Sequence, residues 1–430
     1  MVTINEILAR DSVNALRYLL NGYVLDDFQT VDALVAVTRK VAILSHDTGM
    51  GKTLIASAIM RMLKNEDERR KFLFVCKVSQ LIQTPKDISD ATGMSVCVIT
   101  SKKKDLETYM YTGYFTNYDI IIVAEEVFSD PSAIYALRMT APLFCAIFID
   151  EAHEMTNFKE SDRAAMLKAL MPYYEYRYAL TATPMTTSLD QFSSLLYMLE
   201  PDNFSSSIST LTRYIEKGGF LNDYPGLYIR RTRNDIGVPN VYKNNIVAVE
   251  PTEEQVGAEG SDMFVKTKGP GAVNQVKALV DIIEKEKGFK GLVYIRRHKT
   301  REWVEQALTH AGIKYACING KTTQKRRSLY QQQFNDGELD VLITSVTTSL
   351  NFACDYVIFY EFTVDARQFI GRSERGLISK EIRLYYIFTK YTGEADYFLR
   401  NIYERSLILR NVLQRDYSML IRVAREVEKC

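Results

Sequence analysis

The sequence lacks the features that mark secreted, membrane-spanning and metal-binding proteins. It has only six cysteines and four histidines, the cysteines stand singly without a C-x-x-C pair, and the histidines lack metal-ligand spacing. No apolar run approaches the roughly 18 residues of a membrane span. The first twenty residues place acids and an arginine where a secretory signal needs an unbroken apolar core. We therefore expect a soluble intracellular protein with buried free thiols and no membrane partner.

The net charge of the chain is close to zero and indicates no class of partner. The 54 Lys and Arg almost balance the 53 Asp and Glu, so any basic surface must be local. The 47% hydrophobic and 25% charged residues are ordinary for globular proteins and favour neither a disordered nor a fibrous chain. A chain of 430 residues has room for two or three domains, each with its own core.

Short apolar runs alternate with helix-like segments in two series, one from about Arg39 to Thr183 and one from about Gly291 onward. This alternation indicates parallel sheets covered by helices on both faces. The stretch 250–275 is rich in glycine and polar residues and is the best linker candidate. The sequence therefore predicts an α/β protein with lobes at 1–249 and 276–430, the second ending in amphipathic helices.

A candidate phosphate-binding loop, SHDTGMGKT, follows the first apolar run and precedes a helix-like segment. Gly49 and Gly51 would let backbone N–H groups approach phosphates, Lys52 would reach the β and γ phosphates, and the Thr53 hydroxyl would hold Mg²⁺. The general pattern has glycine where this chain has His46. The motif alone leaves a chance match open.

Two later stretches also end apolar strands. Asp150 and Glu151 follow CAIFI, where one carboxylate can hold Mg²⁺ and the other can deprotonate water. Thr181 and Thr183 lie in TATP at the end of another predicted strand. Taken alone, each of these two stretches can also be interpreted as a solvated turn. Their order after the phosphate loop favours a nucleotide-hydrolysing site.

The second lobe contains RQFIGRSERG, in which Arg372 and Arg375 lie three residues apart on one helical face. Such a pair is often only a solvated surface. With an ATP site in the other lobe, the two arginines become candidates to stabilise the transferring phosphoryl group.

Taken in order, the motifs resemble those of the Snf-type (Swi/Snf) branch of helicase superfamily two. The segments are LDDFQTVDAL, DTGMGKT, FLFVCKVSQL, DEAH, LTATP, INGKTTQKRRSLYQQQFN, VLITSVTTSLNF and QFIGRSERG. The branch is indicated by QFSSLLYMLEPDNF and LYIRRTRNDI, which resemble its E-L-W-S-L-L-x-F-L-x-P-x-x-F and R-R-x-K-x-D stretches. The family's loop reads D-E-M-G-L-G-K-T, so the position of His46 is not glycine there either.

The resemblance implies two RecA-like lobes, a helical insertion near 186–235, and an ATP site with Mg²⁺ in the cleft between the lobes. It implies that Gln29 recognises the edge of the adenine, that Lys52 and Thr53 bind the phosphates and Mg²⁺, and that Asp150 binds the metal. The remaining implied roles are the general base Glu151, the coupling residues His153, Thr181 and Thr183, and the arginine fingers Arg372 and Arg375 beside Gln368.

The resemblance also implies sequence-independent contacts to the backbone of double-stranded DNA. They would come from Lys77, Ser79, the strand after Lys290, Thr347, Thr348 and Asn351. TTSLNF replaces the family's G-x-G-L-N-L, however, so DNA contact there is expected to differ, and without an accessory module nucleosome remodelling is not expected.

The expected function is a DNA-dependent ATPase that translocates on double-stranded DNA and remodels protein–DNA or DNA structures. Two alternatives stay open: a strand-separating DNA or RNA helicase of the same superfamily, and an ATP-switched scaffold that recruits DNA-processing proteins. We expect a bacterial or phage protein of the bacterial cytoplasm, with a possible protein partner in replication, repair or transcription.

Overall fold

The computed structural model describes residues 16–156, 162–185, 188–204, 207–218, 220–237, 241–345, 354–362, 369–370 and 381–400. The chain divides into two units, Met1–Arg231 and Thr232–Cys430. Each unit contains one sheet, and the strand pairs in both sheets are parallel throughout the described residues. The predicted fold class, two RecA-like α/β lobes with parallel sheets and helices, is confirmed. The cleft as the place of the ATP site stays a prediction.

The first unit has a seven-stranded sheet in the order β3-β4-β2-β5-β6-β1-β7. Its strands are β1 (Val41–His46), β2 (Lys71–Cys76), β3 (Val96–Ile99), β4 (Ile120–Ala124), β5 (Phe144–Asp150), β6 (Tyr176–Leu180) and β7 (Tyr228–Arg231). Its helices are α1 (Asp27–Arg39), α2 (Lys52–Glu66), α3 (Gln83–Thr92), α4 (Pro131–Thr140), α5 (Asp162–Leu170), α6 (Leu189–Leu199), α7 (Ile208–Glu216) and α8 (Phe220–Asp223), with short helical turns between some of them.

Strand order brings the candidate residues to one edge of this sheet. Strands β2, β5, β6 and β1 are consecutive neighbours and run in the same direction. The carboxyl ends of parallel strands open on the side of the sheet where α/β proteins bind ligands. The segments that follow these four strands therefore meet at that edge, although they are far apart in sequence.

The second unit has a six-stranded sheet in the order β10-β11-β9-β12-β13-β8. Its strands are β8 (Val241–Val249), β9 (Gly291–Tyr294), β10 (Tyr315–Ile318), β11 (Val341–Thr344), β12 (Tyr356–Phe359) and β13 (Glu381–Thr389). Its helices are α9 (Met263–Lys268), α10 (Val273–Lys285), α11 (His298–His310), α12 (Gln324–Asp336) and α13 (Glu394–Phe398).

Strand β8 belongs to the second unit, whereas the sequence-based division places its residues in the first lobe. That division ends the first lobe at residue 249, yet β8 pairs with β13 along its whole length, from Val241 opposite Glu381 to Val249 opposite Thr389. The expected linker at 250–275 contains α9 and the first turn of α10. Met263 and Phe264 are buried there, so apolar contacts order a segment whose glycines indicate a loop.

Helices α6, α7 and α8 occupy the region of the expected helical insertion and pack through aromatic rings. Phe192 of α6 lies with its ring centre 5.7 Å from that of Phe220 in α8 and 5.3 Å from that of Tyr228 in β7. Both contacts are edge-to-face, the arrangement that aromatic quadrupoles favour. The insertion is thereby packed against the strand that borders β1.

The five described cysteines are free thiols, and Cys76, Cys97 and Cys354 are buried. Within the described ranges, no three His, Cys, Asp or Glu side chains are grouped so that they could hold a metal ion. No helix in the part of the chain that the structure describes is long and apolar enough to span a membrane.

Candidate active site

The phosphate-binding loop joins β1 to α2, and its shape depends on two glycines. Strand β1 is buried along its length, and the chain turns through Gly49 and Gly51, with φ of +77° and +75°, before α2 begins at Lys52. This left-handed conformation is open to glycine without strain. A Cβ on Gly51 would lie 2.5 Å from Nε2 of Gln29. The conformation therefore favours glycine at position 51, and a larger residue would also have to displace the end of the Gln29 side chain.

Lys52 and Thr53 are the first two residues of α2. The Lys52 Nζ donates to the backbone carbonyls of His46 at 2.9 Å and Asp47 at 3.3 Å, so the ammonium lies over the loop. A helix amino terminus attracts anions through its exposed N–H groups and its dipole. The loop therefore combines a lysine, left-handed glycines and a helix start, which together suit the phosphates of a nucleotide.

Gln29 lies in the first turn of α1 and closes over the loop. Its side chain is buried, its Oε1 accepts the N–H of Asp26 at 3.0 Å, and its Nε2 donates to the carbonyl of Met50 at 3.2 Å. A carboxamide has two N–H donors and two acceptor lone pairs, so these bonds leave capacity for an adenine edge. Adenine recognition by Gln29 stays a prediction.

Asp150 is the last residue of β5, and both of its carboxylate oxygens accept hydrogen bonds. Oδ1 accepts the N–H of Glu151 at 3.0 Å, and Oδ2 accepts Nε2 of Gln80 at 2.6 Å. Burial and the adjacent Glu151 carboxylate raise the pKa of Asp150 to about 6, although the positive charge of Lys52 opposes this shift. The structure thus brings Lys52, which is distant in sequence, into one electrostatic environment with the adjacent carboxylates Asp150 and Glu151.

Glu151 has a left-handed backbone that is unusual for a residue with a side chain. Its φ is +49° and its side chain is mostly buried, with Oε2 lying 3.6 Å from Nδ1 of His153. Such a conformation costs about 1–3 kcal/mol and is concentrated at functional sites. The left-handed backbone directly after Asp150 therefore supports the candidacy of Glu151 as the base.

His153 joins the end of β5 to the end of β6. Its Nδ1 lies 2.8 Å from Oγ1 of Thr181, and its Nε2 lies 3.4 Å from Oγ1 of Thr183. The N–H of Thr183 also donates to Oγ1 of Thr181 at 3.0 Å. The three residues that the resemblance groups for coupling are therefore in direct contact.

Lys77 and Ser79 lie in or beside a short helical turn, Val78–Gln80, directly after β2. The Lys77 ammonium is ion-paired with Glu154, the residue after His153. DNA contact by Lys77 and Ser79 stays a prediction. Gln368, Arg372, Arg375, Thr347, Thr348 and Asn351 lie outside the described residues.

Motif reading misses a buried cluster beside the phosphate loop. Nε2 of His46 lies 2.8 Å from Oδ2 of Asp32, and Arg231 of β7 donates to both oxygens of Asp32, at 2.7 Å from Nη2 and 3.0 Å from Nε. Burial lowers the pKa of His46 despite the neighbouring carboxylate. The pKa of Asp32 is also lowered, because bonds from His46 and Arg231 outweigh the effect of burial. Histidine in place of glycine thus anchors β1 to α1 through Asp32, which also binds Arg231 of β7.

Gln80 is the second functional candidate that the motifs do not mark. Its bond to Asp150 forms across neighbouring strands β2 and β5, and nothing in the local sequence VSQL identifies that partner. Strand order was the missing signal for both Gln80 and the cluster at His46.

Comparison with known proteins identifies two domains. Residues 28–217 match the SNF2-related domain, and residues 274–377 match the helicase conserved C-terminal domain. Among curated proteins, Chromodomain-helicase-DNA-binding protein 8 of Danio rerio is 25% identical over 191 residues, which are 41% of this chain and 7% of that protein. The Uncharacterized ATP-dependent helicase YqhH of Bacillus subtilis (strain 168) is 21% identical over 443 residues, covering 86% of this chain and 76% of that protein.

Among solved structures, the chain matches the Sulfolobus solfataricus SWI2/SNF2 ATPase core in complex with dsDNA. It matches with a TM-score of 0.46 and 18% identity, covering 96% of this chain and 98% of that chain. The chain spans only 7 to 8% of the length of the chromodomain relatives that it matches.

Proposed function

Because the chain carries an SNF2-related domain and a helicase C-terminal domain, and is therefore an SNF2-type ATP hydrolase, we propose that it translocates on double-stranded DNA. In this role it would remodel protein–DNA contacts or DNA structures without separating the strands. The observation that carries the proposal is the direct chain of contacts from the carboxylates Asp150 and Glu151 to His153 and to the two threonines that follow β6.

Hydrolysis follows from the residues at the sheet edge. Lys52 and the N–H groups at the start of α2 hold the phosphates, and Glu151 takes a proton from the water that attacks the terminal phosphorus. As the bond to the leaving oxygen breaks, the positive charge of Lys52 offsets the negative charge that develops there. Glu151 is suited to this role because its carboxylate is mostly buried and acts electrostatically on Asp150.

The donor set fits Mg²⁺. Two neighbouring carboxylates with limited access to water raise the pKa of Asp150, and a divalent cation would relieve their repulsion. Thr53 and Asp150 would hold the cation, because they offer the hydroxyl and carboxylate oxygens that it prefers. When bound, Mg²⁺ supplies charge neutralisation and orientation of the phosphates.

Support for DNA as the track comes from the relatives. The chromodomain relatives, which match 41% of this chain, are named as helicase and DNA-binding proteins. A motor that moves along any sequence must bind the phosphate backbone rather than base edges. A location in the bacterial cytoplasm and a protein partner stay predictions, to which the Bacillus subtilis relative adds support for a bacterial setting.

A strand-separating helicase is the second candidate, because the relative that aligns with most of this chain is named an ATP-dependent helicase. A pure ATP-switched scaffold is disfavoured, since binding alone would not require Glu151 in a strained position. The two motor functions differ in whether a fork is opened.

The test compares ATP turnover with duplex DNA, single-stranded DNA, RNA and forked DNA. We expect the greatest stimulation by duplex DNA, together with displacement of a third strand from a triplex and little fork unwinding. Better stimulation by RNA, or efficient unwinding, would contradict the proposal and favour the helicase.

Two variants connect the assay to the site. Lys52→Ala should weaken ATP binding and turnover together, because it removes the phosphate-binding charge. Glu151→Gln should bind ATP but hydrolyse it at least about 100-fold more slowly, as expected when a general base is lost. A scaffold would retain its DNA-dependent function in Glu151→Gln, whereas a motor would lose third-strand displacement.

A further inference from the structure

We propose that the turn Lys77–Gln80 carries the signal of DNA binding to the catalytic carboxylates, with Gln80 as a positioning residue for Asp150. The inference rests on the proposed function and deepens it. It assigns a role to Gln80 and Glu154, to which neither the motifs nor the resemblance gives one. The ligand sensed at Lys77 is a backbone phosphate of the DNA track.

The turn touches the hydrolytic segment at two points. The first is the bond of 2.6 Å from Nε2 of Gln80 to Oδ2 of Asp150. The second is the ion pair between the ammonium of Lys77 and Glu154. The two ends of one short turn therefore hold the two ends of the segment Asp150–Glu154.

The turn is also joined internally. The backbone N–H of Lys77 donates to Oε1 of Gln80 at 3.1 Å. The Oε1 atom of Gln80 is thus bonded to the Lys77 backbone, while its Nε2 atom orients the carboxylate of Asp150. A shift of the Lys77 backbone must change the orientation of this carboxamide, and with it the hydrogen bond to Asp150.

Charge makes Lys77 responsive to phosphate. The Lys77 side chain is only 12% exposed in the ion pair. The ammonium therefore cannot form a full ion pair with a phosphate unless it leaves Glu154. Burial raises the pKa of neighbouring Glu125, and Lys77 opposes this shift while Glu154 adds to it. Lys77 is therefore one of two cations, with Arg163, that act on this acidic group, and a phosphate and Glu154 compete for it.

Loss of the ion pair between Lys77 and Glu154 would also affect His153. Oε1 of Glu154 lies 3.7 Å from Nε2 of His153, the ring that contacts Thr181 and Thr183. A phosphate that draws Lys77 away would thus alter Asp150 through Gln80 and His153 through Glu154. Binding of DNA and of the metal–nucleotide complex would then be coupled, and such coupling is reciprocal.

The experiment uses the full chain and three variants. Gln80→Met removes the carboxamide but keeps side-chain length, and Glu154→Gln removes the charge that holds Lys77. Glu175→Gln is the matched control, because it breaks the exposed Lys40–Glu175 pair, whose atoms lie 2.6 Å apart away from this edge. Each protein is measured for duplex binding without nucleotide, for kcat and KM with and without duplex, and for the Mg²⁺ dependence of binding a fluorescent ATP analogue.

We expect Glu154→Gln to bind duplex about three- to tenfold more tightly, since Lys77 no longer leaves a counter-ion. Gln80→Met should bind duplex within about twofold of wild type but lose at least about tenfold of its stimulated kcat, with KM for ATP changed less. It should also need at least about threefold more Mg²⁺ for half-maximal analogue binding. Glu175→Gln should match wild type in every measurement.

Failure of this inference can be told apart from failure of the proposed function. If duplex does not stimulate wild-type turnover, the translocase proposal and the coupling to DNA are both overturned. The positioning of Asp150 by Gln80 is judged separately, by the Mg²⁺ dependence of analogue binding. Wild-type Mg²⁺ dependence and stimulation in Gln80→Met, or unchanged duplex affinity in Glu154→Gln, overturns the role of the turn.

Discussion

Replacing Gly51 with alanine should damage the phosphate loop through two separable costs. The first is conformational, because φ is +75° and an alanine in the left-handed region costs about 1–2 kcal/mol. The second is steric, because the new Cβ would lie 2.5 Å from Nε2 of Gln29. Gln29 would have to swing away and give up its bond to the Met50 carbonyl, at about 0.5–1.5 kcal/mol. The expected loss of stability is about 1.5–3.5 kcal/mol.

Gly93 provides the matched control. It ends α3 with φ of +70°, and a Cβ there would meet no atom within 4 Å. Gly93→Ala should therefore carry the conformational cost alone, about 1–2 kcal/mol. The steric cost at position 51 is the difference between the two variants, read from urea unfolding followed by circular dichroism.

A double variant isolates the contact with Gln29. In a Gln29→Ala background the obstructing amide is absent, so Gly51→Ala should cost no more than Gly93→Ala. Gly51→Ala should also weaken binding of a fluorescent ATP analogue by at least about tenfold, because the loop N–H groups no longer converge, while Gly93→Ala leaves it unchanged. Equal costs for Gly51→Ala in both backgrounds would refute the reasoning.

Three further predictions concern other parts of the chain. Arg372→Ala or Arg375→Ala should reduce DNA-stimulated turnover by about 10³ to 10⁵ while ATP affinity stays within about tenfold, and turnover within a few-fold of wild type would leave these arginines as surface residues. Since the pKa of His46 is lowered in the folded state, the unfolded chain binds the proton more tightly. The free energy of unfolding should therefore fall as pH drops below about 6.5, by at most about 1.4 kcal/mol per pH unit. Urea unfolding of wild type and His46→Gln should show that stability depends less steeply on pH in the variant. Glu394→Gln should destabilise the second unit by about 3–5 kcal/mol, because Lys268 is fully buried 3.1 Å from Glu394; denaturant unfolding of Lys268→Met with Glu394→Gln should show a smaller loss than Glu394→Gln alone.

The sequence predicts those parts of the fold that are written locally. The apolar runs VAIL, FLFVCK, DIIIVA, CAIFID and RYALTATP correspond to strands, since a strand buried on both faces needs consecutive apolar residues. The glycines and GKT of the phosphate loop likewise identify a strand, a turn and a helix in order. The resemblance assigns roles to His153 and Thr181, and the structure places them in contact.

The features that the sequence does not predict depend on distant partners. Strand β7 contains YIRR, whose arginines do not indicate a strand, and it forms because β1 offers a free edge beside it. Asp32, His46 and Arg231 have no common motif, and only the position of β7 next to β1 brings them together. Gln80 is a similar case, since its bond to Asp150 depends on β2 lying beside β5.

The placement of β7 beside β1 has a consequence for synthesis of the chain on the ribosome. Ile43 pairs with Tyr228, so the strand that leads into the phosphate loop keeps an unpaired edge until almost the whole first unit has been made. At about 5–20 residues per second, this interval is on the order of ten to forty seconds. An exposed strand edge invites pairing with other chains. A nascent chain that stopped at residue 217, where the SNF2-related match ends, would carry the entire GKT motif but would lack both β7 and the arginine that binds Asp32. We therefore expect ATP to protect ribosome-bound chains from proteolysis only after Arg231 has left the exit tunnel.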